Sequence, residues 1–297
     1  MIGTGKQQAV TAESIQGAIH AYAAGGENRL RPEGNESAWE DPLVGFSRGD
    51  DPLYEQMKED IGDFLWTPAE IFNATFPGQP ASAEELTVIS WILPQTRQTR
   101  EEHREAKNVP ADRWALSRQY GEVFNTRLRD HLTAWLAETG HQAVAPQNSA
   151  LWSRERSDRY GLASSWSERH AAHVSGLGTF GLCDGLITAK GKAVRCGSVV
   201  VRLAVPVTPR PYRGHHDDCL FFQDSSCGRC MARCPAAAIT PTWHDKGKCS
   251  RYLQEVTIPF IRGRFGFTVT ACGFCQVGVP CEAARPRHAT GASLSLP

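Results

Sequence analysis

The sequence predicts two units: a domain of the α/β class over residues 1–210, then a short cysteine-organised domain over residues 211–297. Three observations carry this. Helical and strand-like patterns alternate up to about residue 208. Pro206, Pro209 and Pro211 then interrupt them as a linker. The chain has 10 cysteines, none before Cys183, with eight of them between Cys219 and Cys281.

The elements follow in order. Ile15, Ala18, Ile19 and Tyr22 recur at helical spacing behind Thr11 as N-cap, and Gly25-Gly26 stops that helix. Residues 27–45 are rich in Pro, Gly and Asn and read as a loop. Asp51-Pro52 starts a helix, with Leu53, Met57, Ile61 and Leu65 along one face. Thr67-Pro68-Ala69-Glu70 is a capping box opening the next. Leu86 to Leu93 is a compact apolar run ending at Pro94, a buried strand. Residues 95–112 read as a charged connector. Leu116, Tyr120, Phe124, Leu128, Leu132 and Leu136 form one stripe of a long helix over 113–138, stopped at Gly140. Gln142 to Ala145 is a short strand. Ser165-Trp166-Ser167-Glu168 reads as a capping box for a helix through His173. Leu182–Thr188 and Val194–Val205 are strands around the Lys190-Gly191-Lys192 turn.

The 297 residues are 41% hydrophobic, enough for a core. Lys plus Arg is 32 and Asp plus Glu is 32, so the formal charge is zero. A general electrostatic nucleic-acid binder would show a basic excess. The N-terminus lacks the pattern of a secretory signal, and no stretch approaches the roughly 20 apolar residues of a membrane span. The expectation is a soluble cytoplasmic protein without a membrane partner.

In that reducing compartment the cysteines point to metal rather than disulfides. The first group is Cys219-x7-Cys227-x2-Cys230-x3-Cys234-Pro235; the second is Cys249-x22-Cys272-x2-Cys275-x5-Cys281. The C-x2-C-x3-C-P tail is the back half of a bacterial ferredoxin run, whose last cysteine serves the other cluster. Exchanging one ligand between the groups gives two [4Fe–4S] sites with no cysteine left over. The first takes Cys219, Cys227, Cys230 and Cys281; the second takes Cys234, Cys249, Cys272 and Cys275. Structural zinc is the alternative, but one ribbon would leave four cysteines of this segment unused and the C-x3-C-P tail unexplained. Cys183 and Cys196 lie outside the pattern as strand cysteines with no assigned function.

With these motifs the chain resembles the epoxyqueuosine reductases and their relatives, the reductive dehalogenases, from about residue 40 to 285. The resemblance rests on Glu168-Arg169-His170-Ala171-Ala172 followed by Ser175-Gly176-Leu177-Gly178-Thr179-Phe180-Gly181. It rests also on Cys249-Ser250-Arg251-Tyr252-Leu253 with Cys272-Gly273-Phe274-Cys275. It implies a nitroreductase-like, corrinoid-binding α/β (α+β) domain followed by a ferredoxin-like domain with two clusters. It further implies an oxidoreductase passing single electrons through the clusters to a cobalamin, with Gly176, Gly178, Thr179 and Gly181 beside the cofactor. An electron donor such as a ferredoxin or flavodoxin follows as partner, and a small molecule or a tRNA as substrate.

The sequence departs from the family in three places. Where epoxyqueuosine reductases have Arg-Asp-Tyr, with the acid as proton donor, this chain has Arg118-Gln119-Tyr120. An amide cannot donate as a carboxylic acid does, which weighs against epoxyqueuosine reduction and leaves Tyr120 as the catalytic candidate, with core packing as its alternative. Cys219-x7-Cys227 replaces a closer pair, so either Cys219 reaches in from a longer loop, the preferred reading, or Asp224 is a ligand. Pro280 precedes Cys281 rather than following it. No Asp-x-His-x-x-Gly segment supports a histidine-ligated cobalamin. The order of Gly176, Gly178 and Gly181 matches G-x-G-x-x-G, but it follows a helix where a dinucleotide site would follow a strand. His215-His216-Asp217-Asp218 reads as a solvated loop, and His170 with His173 as interface histidines. A non-catalytic electron-transfer protein without corrinoid is the reading from a different class.

Overall fold

The structure is a computed structural model and describes residues 9–287. The first eight residues, part of the stretch read for a leader, lie outside it. No helix among the described residues is long and apolar enough to cross a membrane.

The centre is a four-stranded sheet of β1 (Leu43–Arg48), β2 (Leu86–Pro94), β8 (Val194–Arg202) and β3 (Ala143–Val144), in the order β1-β2-β8-β3. Every pairing is antiparallel: Gly45 faces Ser90, Ser90 faces Ser198, and Val144 faces Val200. Within the α/β (α+β) expectation the structure takes the α+β form. Alternating helices and strands do not fix strand direction, because α2 (Leu53–Ile61) and α3 (Pro68–Thr75) connect β1 to a β2 that returns antiparallel.

The central strand β2 is buried along its whole length, since helices cover both faces. Its Ile89, Trp91 and Leu93 face α1 (Ala12–Ala24) and α5 (Asp112–Glu138), meeting Ile15, Ile19, Phe124, Leu128 and Leu132. Its Leu86 and Val88 face the other way, meeting Ile71, Phe72, Trp166 and Ala171 of α3 and α6 (Glu168–Val174) and the loop before α6. The period-2 alternation of a strand thus serves two apolar layers. Each fully buried aliphatic or aromatic side chain contributes about 1.5–3 kcal/mol. Two glycines permit aromatic neighbours: a Cβ at Gly197 would enter the Trp91 indole and one at Gly121 the Trp39 indole.

Local signals at Thr11 and Thr67 hold, with both capping boxes formed. Others do not. Residues 95–112 contain a helix, α4 (Arg97–Glu105), capped by Thr96. The N-cap of α6 is Ser167, whose hydroxyl bonds His170 rather than a backbone N–H; the Ser165 hydroxyl instead accepts from Ser153 N. The run Leu182–Thr188 is strand only at β7 (Leu186–Thr188), because Asp184 takes φ 58° in a tight turn. That strand pairs with β6 (Gly178–Phe180), not with β8. A hairpin of β4 (Arg154–Ser157) and β5 (Gly161–Ser164) carries no apolar period and escaped the sequence reading.

The proline segment read as a linker lies against the sheet. Thr208 exchanges backbone hydrogen bonds with Phe46 through its N–H (2.9 Å) and its hydroxyl (2.9 Å), and Arg210 pairs with Asp51. Beyond it come α7 (Leu220–Asp224), α8 (Arg229–Arg233), α9 (Lys246–Tyr252) and α10 (Ile258–Phe265). A π-helical turn over Leu253–Thr257 joins α9 to α10, and Gly266 at φ 78° ends α10.

Candidate metal-cluster site

Four thiols from three stretches of chain line one cavity: Cys219, Cys227, Cys230 and Cys281, with Lys192 and Leu182 beside them. Cys219 caps α7 and Cys230 lies within α8. Cys281 arrives from the far end of the chain and is fixed twice: its carbonyl accepts from Lys192 N (2.7 Å), and the neighbouring Glu282 carboxylate is held by others. Glu282 is 5% exposed; Arg104 of α4 grips it through Nη2 (2.7 Å) and Nε (3.0 Å), and it accepts from Gly278 N (2.7 Å). The charged connector therefore positions a cavity-lining thiol. The Asp224 carboxylate accepts from Ser226 N (2.9 Å) and is not among the residues lining the cavity.

The other four form a second neighbourhood. Cys272 lies within electrostatic reach of Cys249, Cys234 and Cys275. Cys234 Sγ accepts from Ala238 N (3.4 Å), after the turn at Pro235. The loop Cys272–Cys275 needs Gly273, at φ 75°, because a Cβ there would enter the Trp114 indole. Trp114 is in turn stacked on His103 (4.4 Å, 16°), and His103 meets Phe274 (4.8 Å). Arg233 lies over the Phe274 ring and donates to Val277 O (3.2 Å). Beside Cys249, the His244 ring bonds Asp184 (3.0 Å); burial works against its charged form, but Asp184 and Cys249 outweigh that and raise its pKa to about 10.

Burial holds thiols of both sets toward their protonated form. Burial pushes the Cys272 thiol up to about 12, so binding there requires a metal to displace the proton. Among the described residues no three His, Cys, Asp or Glu side chains converge on a point that would hold a single metal ion; the first set instead surrounds a cavity.

Lys192 is 3% exposed, and its Nζ donates to Cys183 Sγ (3.2 Å). Burial disfavours its ammonium, but Cys183, Cys281, Cys275 and Cys230 more than offset this and hold its pKa well above the ordinary value. Cys183 is not a strand cysteine. It sits in the turn before β7, its thiol meeting Cys230 and Cys275, and those contacts and Lys192 draw its pKa well below the usual thiol range. No sequence spacing marked either residue. Cys196, by contrast, is a thiol within β8 that burial pushes to about 12.

The residues read for a corrinoid are engaged by the chain itself. A Cβ at Gly176 would lie 2.8 Å from Pro209 O, and one at Gly178 would strike Ile187 O. A Cβ at Gly181 would press on Ile187 at 3.3 Å. The Thr179 hydroxyl donates to Asp218 (2.9 Å) and accepts from Asp218 N (2.9 Å). The free space that glycine provides is thus taken by this chain's own backbone. Tyr120 is half-buried with its ring edge-on to Phe267 (6.0 Å, 75°) rather than inside the α5 stripe. The 215–218 run is a loop exposed at His215 and Asp217 that also clasps β6: Phe180 N donates to His215 O (2.6 Å), His216 bonds Phe180 O (2.7 Å), and Asp218 holds Thr179.

No protein-family model matches the chain, and no curated protein matches it. Solved structures do, and they are reductive dehalogenases and epoxyqueuosine reductases, the two groups the sequence resembles. The chain shares its fold with a catabolic reductive dehalogenase in complex with 3-bromo-4-hydroxybenzoic acid: TM-score 0.50 and 15% identity, over 92% of this chain and 37% of that one. An epoxyqueuosine reductase from Streptococcus thermophilus aligns with TM-score 0.47 and 13% identity, over 83% of this chain and 64% of that one. One from Bacillus subtilis aligns with TM-score 0.45 and 15% identity, over 83% and 63%. The chain therefore spans less than two thirds of the length of each of these proteins.

Proposed function

We propose that this chain is an iron–sulfur oxidoreductase that passes single electrons through two [4Fe–4S] clusters, acting in two parts: residues 211–287 hold the clusters and the sheet domain before them supports the cluster-bearing loops. The observation that carries the reading is the first cysteine set. Cys219, Cys227, Cys230 and Cys281 are remote in sequence and line one cavity beside a buried lysine. Thiolates are the ligands such clusters take, and metal binding displaces the proton of a burial-protonated thiol to solvent. The donor set fits: four thiols in each set, backbone N–H donors toward sulfur, and a compensating cation. When bound, the clusters supply one-electron redox chemistry. The residues of this chain orient the thiols, bury Cys219, Cys230 and Cys281, and supply fixed positive charge.

The fit to a corrinoid is different. The space at Gly176 and Gly178 is filled from within, so the contacts of those glycines favour the reading without cobalamin. Epoxyqueuosine reduction on tRNA is also the weaker reading, given Gln119 and a charge balance of 32 against 32.

Anaerobic purification with measurement of iron, sulfide and cobalt tests the proposal. About eight irons per chain are expected from two four-iron clusters. Cys281→Ser should remove about four of them and leave the second cluster's electron paramagnetic resonance signal. Zinc in place of iron, or iron content unchanged in Cys281→Ser, would overturn the assignment. One tightly held cobalamin per chain would restore the corrinoid reading.

A further inference from the structure

Lys192 has a role that the cysteine pattern does not assign. Its ammonium is almost wholly removed from water, and among the described residues it pairs with no carboxylate. An isolated buried ammonium is strongly disfavoured, so it persists only where anionic groups face it. The groups that face it are thiols: it lines the cavity with Cys230 and Cys281 of the first set, and its Nζ bonds Cys183, whose thiol donates to Cys275 O of the second set. The backbone holds it there. Lys192 N donates to Cys281 O (2.7 Å), and Gly191, at φ 81°, abuts Glu282 so closely that a Cβ would collide with its backbone. Cys183 Sγ fixes Nζ at 3.2 Å, and Cys183 is in turn held by Cys275 O (3.8 Å).

We propose that Lys192, held by Cys183, is a positioning residue whose fixed positive charge, set among thiols of both sets, would raise the reduction potential of both clusters. The inference rests on the two-cluster reading above. Adding an electron to a cluster adds one negative charge and neither forms nor breaks a bond; the electron comes from an external one-electron donor. A cation in a low-dielectric interior stabilises the reduced form more than the oxidised one. Lys192 lines the cavity with Cys230 and Cys281 of one set and is linked through Cys183 to Cys275 of the other, so removing its charge acts on both midpoints.

The test is a potentiometric titration of the anaerobic full-length protein, followed by electron paramagnetic resonance and paired with iron analysis. Lys192→Met keeps the aliphatic length and removes the charge; Lys192→Arg keeps the charge. Lys192→Met is expected to retain its iron and shift both midpoints to more negative potential, while Lys192→Arg stays near the parent. Cys183→Ala is expected to keep all its iron and shift the midpoints in the same direction by less. Lys192→Met with full iron and unmoved midpoints would overturn the proposal. So would loss of iron in both lysine variants, which would make the role one of packing. Iron lost from Lys192→Met but kept by Lys192→Arg would support the requirement for charge. Loss of about four irons in Cys183→Ala would make that thiol a ligand and overturn its role as holder of Lys192. Parent protein without iron would instead sink the two-cluster reading itself.

Discussion

Replacing Gly273 by alanine should damage the second cysteine set more than any contact to sulfur would suggest. Gly273 stands between Cys272 and Cys275 at φ 75°. An L-residue in that region is disfavoured by about 1–2 kcal/mol. The new methyl would also enter the Trp114 indole, which is 2% exposed and stacked at 4.4 Å on His103, itself fully buried. Neither ring has room to retreat, and overpacking of this kind costs about 1–3 kcal/mol. The sum is a loss of about 2–5 kcal/mol. Relief requires the Cys272–Cys275 loop to move away from α5, which would misplace two thiols. Urea unfolding followed by tryptophan fluorescence, with iron analysis on the same sample, reads both effects. Gly263→Ala is the control: it is exposed in α10 with nothing within 4 Å of a new Cβ, and should gain about 0.5–1 kcal/mol. Gly273→Ala with a stability loss under about 1 kcal/mol and full iron would refute the reasoning, since neither strain nor overlap would then exist.

Glu282→Ala removes the carboxylate that grips the half-exposed Arg104 and one of the two that pair with the buried Arg100, which keeps Glu40. It should cost about 2–4 kcal/mol, below the range for a fully buried pair because Arg104 is 44% exposed, and should lower the iron held by the first set; unchanged unfolding by urea would contradict it. Asn125→Ala removes the acceptor of Trp91 Nε1 (2.9 Å) in the core beneath β2 and should cost about 1–3 kcal/mol, whereas Cys196 O keeps Arg129 as a donor; a thermal midpoint equal to the parent's would count against it. His173 is 4% exposed, and burial lowers its pKa although its Nδ1 bonds Gly178 O (2.8 Å). The unfolded chain then binds a proton that the folded one does not as pH falls below about 6.5, so stability should drop through that window by at most about 1.4 kcal/mol per pH unit. His173→Gln should flatten the slope, and an identical slope in the variant would show that His173 is not the group.

Several features were legible in the chain because they are local. Thr11, Thr67, the α5 stripe and the unbroken apolar run of β2 depend on spacing within one element, and spacing is what a sequence displays. The spacing of the cysteines also foreshadowed one piece of tertiary structure, since Cys219, Cys227, Cys230 and Cys281, remote along the chain, line one cavity. Strand direction was not legible, because side-chain alternation reports which faces are buried and is the same for parallel and antiparallel pairing. The α4 helix was hidden by its charge. Its arginines look like a solvated connector until Glu282, far along the chain, supplies the carboxylate that makes them structural. The same holds for the glycine-rich segment, whose close approach to Pro209 and Ile187 no local spacing displays. Cys183 and Lys192 mark the limit most clearly. Nine residues apart and in no motif, they acquire chemistry only when folding removes an ammonium from water and surrounds it with sulfur. A cation's need for a partner is written by the tertiary structure, because it arises from burial, and burial is not a property of any short stretch of sequence.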